Sequence, residues 1–269
     1  MERTYIGAGL LSGLAGGVVT FCYARIFVEP QVAAAIEYEE TRSHAIEHLT
    51  GEHGHEHEVF SRSVQENIGA GIGTVVFAIA MGAVFAVGFT LLWTYLGRRY
   101  PRTDPRWVAA AVGLLSFLAL YAVPFAVYPA NPPAVGDGDT IGARSGAYLT
   151  VTLVSVLAMI GAVIATLALR PRIGGLWSAL VAACGYLATM VVTAALLPDF
   201  DEVPRPLVDP SGAVVAPGFP AEVMAQFRLH AVTAQVLLWV TVVVTFIVVL
   251  GRLAGAPSRR PRTVAVAVE

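Results

Sequence analysis

Lysine is absent from this 269-residue chain, charged side chains of either sign make up only 13% of it, and cysteine occurs twice. So few charges, beside 56% hydrophobic residues and a mean hydropathy of +0.69, exclude an ordinary soluble domain and point to lipid as the solvent. The two cysteines, Cys22 and Cys184, fall near the end of one apolar run and near the middle of another. At a rise of ~1.5 Å per residue their depths differ by roughly 10 Å, which argues against a disulfide and leaves two small packing residues. No G-x-x-x-x-G-K-[ST] loop is present, so the chain cannot itself hold ATP through a P-loop. The apolar runs also lack the deep ionisable residue that marks an ion-coupled carrier. Arg25, Glu29, Arg228 and His230 all lie near run ends, within reach of the interface. These absences favour a facilitated pathway, or one subunit of a larger system, over a self-sufficient pump.

Six runs do have the roughly 20 apolar residues needed to cross the hydrocarbon. They cover about 5–28, 68–96, 107–128, 145–169, 174–197 and 229–250. An unpaired backbone amide in hydrocarbon costs several kcal/mol, so each run is expected to be an α-helix. The expected fold is all-α: a polytopic membrane protein of about six transmembrane helices, with one transmembrane domain over 1–251. An extracytoplasmic loop over 29–67 carries an acidic, histidine-rich helix and tether, and 252–269 forms a cytoplasmic tail. The first run is expected to be a retained span and not a signal peptide, because Glu2 and Arg3 cancel and the run exceeds a typical h-region. Gly9, Gly13 and Gly17 have the small-xxx-small spacing that lets a neighbouring helix approach closely. Pro124 should bend the third helix.

With no lysine, arginine alone sets orientation through the positive-inside rule. Arg98, Arg99, Arg102 and Arg106 fill the second connection, Arg170 and Arg172 the fourth, and Arg252, Arg259, Arg260 and Arg262 the tail. Those stretches, and with six crossings both termini, are expected in the cytoplasm, and the bilayer is expected to be the cell membrane. The odd connections then face out and hold most of the acid, including Asp137 and Asp139 in the third and Asp199, Asp201, Glu202 and Asp209 in the fifth. A face this acidic concentrates cations. No nucleic-acid partner is expected.

The first outer connection is the most informative. Pro30 suits the start of a helix, and the residues after it are good helix formers. At ~100° per residue, Glu37, Glu40, His44, Glu47 and His48 share one stripe. His44 and His48 are four apart, the separation at which two imidazoles reach one metal ion, and Glu37 or Glu40 could add an oxygen. Beyond them GEHGHEHE alternates His53, His55 and His57 with acids, the composition of a metal-collecting tether. His44 to His48 also matches H-x-x-E-H, the inverted zinc-protease motif with Glu47 as general base. Such a short pattern arises easily in a segment already dense in His and Glu, and catalysis would further require a third ligand and an enclosed pocket.

Several strings point to a known family: VEPQVAAAIEYEE, FSRSVQENIG, PFAVYPANPPAVGDGDTIGAR, LPDFDEVP and FPAEVMAQFR. Together they resemble the CbtA family over nearly the whole chain, most specifically through YPANPPAVGDGDTIG. The resemblance implies cobalt uptake with a small single-span, histidine-bearing subunit of the CbtB type. By position it also carries over Glu29, Glu37 and Glu40, then Asn131, Asp137 and Asp139, then Asp201 and Glu202. Asn, Asp, Gly and Pro in the Asp137-Gly138-Asp139 region have ample turn chemistry of their own.

The expected function is a membrane subunit for uptake of a divalent transition metal, Co²⁺ as transported ion and no prosthetic group. His44, His48, His53, His55 and His57 would capture the ion with nitrogen ligands, and Glu37, Glu40, Asp137, Asp139 and Glu202 would pass it on with oxygens. The alternatives are a membrane protein that binds, senses or stores metal without moving it, and a membrane metallohydrolase using His44, Glu47 and His48.

Overall fold

The computed structural model describes residues 2–51 and 68–255. Six helices in it are long and apolar enough to cross a membrane, and the chain is a multi-pass membrane protein. In chain order the helices are α1 (Glu2–Phe27), α2 (Glu29–Thr50), α3 (Ala70–Arg99), α4 (Pro105–Phe117), α5 (Val123–Val127), α6 (Ile141–Ile173), α7 (Gly175–Leu196) and α8 (Ala221–Gly255). A π-helical turn, Leu118–Ala122, joins α4 and α5 into one span.

Four spans form the core. α1 lies against α3, and its glycines are the reason they can touch. A Cβ at Gly9 would meet Ala86 and the Gly82 carbonyl, one at Gly13 the Ala78 carbonyl, and one at Gly17 Ala78 and the Val75 backbone. The expected small-xxx-small contact is thus present, with Ala78, Gly82 and Ala86 as its counterpart on α3. α4 and α8 close the group around Phe85, Phe89 and Phe246. Phe246 meets Phe85 edge-on at 5.0 Å and Phe89 at 4.9 Å between centroids, the geometry ring quadrupoles prefer.

The α6–α7 pair forms a second group. α7 buries one stripe, Ser178, Ala182, Tyr186 and Met190, against α6. α6 in turn reaches the first group through the π-turn and α5.

Pro124 explains that turn. A proline cannot donate to the carbonyl four residues back, and its ring crowds that carbonyl. Widening the preceding turn relieves the clash, and the Val123 amide accordingly donates to the Leu118 carbonyl, five residues back. The expected disturbance at Pro124 is there, as a π-turn.

Arginine clusters at one end of the bundle. The Arg170 guanidinium sits 4.4 Å from the centre of the Tyr100 ring, and Arg106 approaches Gly251 of α8, so the second and fourth connections and the end of α8 share that end. The opposite end carries α2 and the first, third and fifth connections. Pro30 breaks α1 from α2; α2 then docks through Ala35 and Tyr38 onto Phe219, Met224 and Val135. A two-stranded antiparallel hairpin, Leu207–Val208 with Val214–Ala216, lies in the fifth connection. It was not expected, because its strands are too short to show a period. Cys22 and Cys184 are free thiols on exposed positions of α1 and α7.

Candidate functional site

At the α2 end, a cavity of about 910 Å³ opens where the third span, α6, α8 and the fifth connection meet. Its wall carries the polar side chains of Tyr121, Tyr128, Asn131, Arg144, Tyr148, Asp199, Asp201 and Arg228. The π-turn places Tyr121 here. Its hydroxyl oxygen is buried and has no hydrogen-bond partner among the described residues. Arg228 donates to Asn131 Oδ1 at 2.8 Å and to the Ala130 carbonyl at 3.2 Å, which ties α8 to the third connection. Tyr128 donates to the Pro198 carbonyl at 2.7 Å.

Beside the cavity, the Glu202 carboxylate is tied to the turn that carries Asp137 and Asp139. Glu202 Oε1 accepts from Thr140 Oγ1 at 2.6 Å, and Oε2 from the Asp137 amide at 2.8 Å. Arg144 Nε lies 3.3 Å from Oε2, an ion pair without hydrogen-bond alignment. The hydroxyl of Thr140 foremost, then the Asp137 amide and the Arg144 charge, hold the Glu202 carboxyl below its ordinary range. Asp137 Oδ1 accepts from the Asp139 amide at 2.9 Å, the side-chain cap of the short 3₁₀ turn that begins α6. Gly136, at φ +133°, allows the Arg144 guanidinium to lie against it where a Cβ would collide. The fifth connection, whose Asp199, Phe200 and Asp201 line the cavity, is therefore latched to the start of α6 through Glu202.

The stripe on α2 forms as expected and faces away from the bundle. Glu37, Glu40, His44 and His48 are exposed, on the side of the helix opposite the docked Ala35 and Tyr38. His44 Nδ1 approaches Glu47 Oε2 to 3.6 Å, with the His44 side chain 76% exposed. None of these α2 residues lines the cavity described above. Among the described residues no three of His, Cys, Asp and Glu form a group that could hold a metal ion. His53, His55 and His57 lie outside the described residues.

Among the described residues, Arg42, Arg144 and Arg205 went unused in reading the sequence, and Arg228 was read only as a charge near a run end. All lie at the α2 end, where they tie connections together. Arg42 donates to the Arg205 carbonyl at 2.9 Å, and Arg205 pairs loosely with Asp201 at 3.6 Å. Their position between acid-rich strings was the signal available. His230 is also accounted for: its Nδ1 shares a 2.7 Å hydrogen bond with the Tyr23 hydroxyl, and its ring stacks on Phe27.

Residues 2–251 match the family described as probable cobalt transporter subunit (CbtA). The chain belongs to the CbtA family. That match spans all six membrane helices and both the cavity and the latch, so the resemblance read from the strings holds over the whole described bundle. CbtA is a family of transporter subunits, with cobalt as the cargo its description gives. No curated protein and no solved structure matches the chain.

Proposed function

We propose that this CbtA chain takes up Co²⁺ from outside the cell membrane, with the α2 end facing out and both termini in the cytoplasm. The observation that carries the reading is the cavity at the acid-bearing end of the bundle, with Asp199 and Asp201 on its wall and the Glu202 latch beside it. Opposite it lie the arginine-rich connections, in the arrangement that the positive-inside rule assigns to the cytoplasm.

Capture begins on α2 and its tether. His44 and His48 stand on the exposed face one turn apart, open to an ion in solution, and His53, His55 and His57 add nitrogen donors of the same borderline character. Glu37 and Glu40, on the same face, supply oxygen. Asp137, Asp139 and Glu202 receive the ion at the cavity mouth. Glu202 can do so only by exchanging its hydrogen bonds to Thr140 and Asp137 for metal contact, which would release the latch. A small single-span subunit of the CbtB type completes the system.

Purified chain in sealed vesicles, with and without that subunit, tests the proposal. Co²⁺ accumulating in the lumen in proportion to time, and released by a pore-forming agent, is the expected result. Saturable binding without lumenal accumulation would instead make the chain a metal-binding or sensing protein. A peptidase activity lost in Glu47→Gln would favour the hydrolase.

A further inference from the structure

Resting on the transport reading above, we infer that the metal crosses along the seam between the third span and the α6–α7 pair, and that the hydroxyls of Ser155 and Tyr186 form its narrowest polar point. The α1–α3 interface is closed. α1 and α3 meet backbone to backbone at Gly9, Gly13 and Gly82, and the space beside them is filled by Phe85, Phe89 and Phe246. Of the hydroxyls buried along α1, Ser12 is spent on the Ala8 carbonyl at 2.7 Å and Thr20 has no partner among the described residues, but opening that backbone contact to an ion would separate the whole core.

The seam differs at each depth. The cavity sits at its mouth, and α6 lines that cavity through Ile141, Arg144, Ser145 and Tyr148. Residues 144, 148, 151 and 155 recur at helical spacing, so the face of α6 that lines the cavity continues inward to Ser155. Ser155 lies about 10 Å deeper than Tyr148 at ~1.5 Å per residue, near the middle of both α6 and α7. There the Ser155 and Tyr186 hydroxyls bond at 2.8 Å, with Ser155 0% and Tyr186 7% exposed. A hydroxyl pair buried at mid-membrane satisfies itself when the seam is closed and offers two oxygen ligands when it opens. On the other wall stands the π-turn, whose Tyr121 hydroxyl has no partner among the described residues. Single π-turns within helices recur at functional sites, and this one faces the seam.

Water access tests the seam independently of transport. Cys22 and Cys184 are first replaced by alanine, and single cysteines are then placed at Ser155 and, one turn nearer the cavity on the same face, at Val151. Lipid-facing Leu157→Cys and core Val242→Cys serve as controls. Each full-length variant, in sealed vesicles, is treated with a small cationic methanethiosulfonate, with and without Co²⁺. The seam predicts that Ser155→Cys and Val151→Cys react at least tenfold faster than both controls, that Co²⁺ slows the reaction, and that labelling blocks Co²⁺ uptake. If both react no faster than the controls in vesicles that do take up Co²⁺, the seam is wrong and the transport reading stands. Fast labelling that neither responds to Co²⁺ nor blocks uptake also overturns it, as a wet crevice off the metal path. Failure of every vesicle preparation to take up Co²⁺ would sink the transport reading and, with it, the seam as a metal path. Val151→Cys keeps the test decisive if Ser155→Cys does not fold.

Discussion

The Asp137 amide donates to Glu202 Oε2 over 2.8 Å, joining the turn that starts α6 to the segment that leaves α7. Thr140 holds the other carboxylate oxygen at 2.6 Å and Arg144 neutralises the pair. The lowered Glu202 carboxyl therefore stabilises this end when ionised. Since the folded state lowers its affinity for protons, that contribution is complete above the ordinary carboxylate range and is lost as pH falls through that range toward the lowered value. The melting temperature of the purified chain should fall with pH in that window, and Glu202→Gln should start lower and show less of the fall. An unchanged profile in the variant would show that the latch does not hold the connection. Asp209, held low by Ser211 in the hairpin, adds a similar trend, so the comparison is always with the variant.

Gly136→Ala should weaken the same region from the other side. The residue has φ +133° and lies against the Arg144 guanidinium. Backbone strain and collision together predict a loss of about 1–3 kcal/mol, read from thermal unfolding in detergent. A variant as stable as the parent would mean that Arg144 can be moved at little cost.

Gly13→Val tests the closed interface. Its side chain would enter the Ala78 backbone, where neither helix can give way without parting. Overpacking of this sort costs about 1–3 kcal/mol, and more where the backbone must shift. Gly185→Ala, which meets open space, should leave the melting temperature unchanged or slightly raised.

How much of this could be read from the chain alone depended on the range of the interaction. The six spans, the α1 glycine contact and the α2 stripe are local and periodic, and each could be read from residues within a few turns of one another. Even Pro124 announced a disturbance, although whether it produces a kink or a π-turn depends on what packs against it. The cavity could not be seen. It joins Tyr121, Arg144, Asp199 and Arg228 from four separate segments, and no spacing in the sequence records that they meet. Arg144 shows the difficulty: nothing near it in the sequence marks it as the partner of an acid 58 residues away in the chain. Turn chemistry and ion contact were both open for Asp137. The structure places its side chain on the Asp139 amide and its own amide on Glu202, so it has a turn role whatever it does for an ion.

Tyr38→Ala should release α2 from the bundle. Its ring meets Phe219 edge-on at 5.0 Å and its hydroxyl donates to the Pro217 carbonyl at 3.2 Å. Truncating a buried aromatic costs about 3 kcal/mol. The expected readout is faster proteolysis between residues 29 and 50, together with slower cobalt uptake. If uptake is unaffected by a detached α2, capture does not occur on that helix.

The most direct test of the central claim is uptake of radioactive Co²⁺ into cells that express the chain with a CbtB-type subunit, compared with the His44→Ala/His48→Ala double variant. Both histidines are exposed and remote from the docking face, so the variant should fold normally. The account predicts uptake that requires the chain and falls several-fold in the variant at low external cobalt, with the difference narrowing as cobalt is raised. Uptake absent from every combination, while the purified chain still binds cobalt, would contradict it.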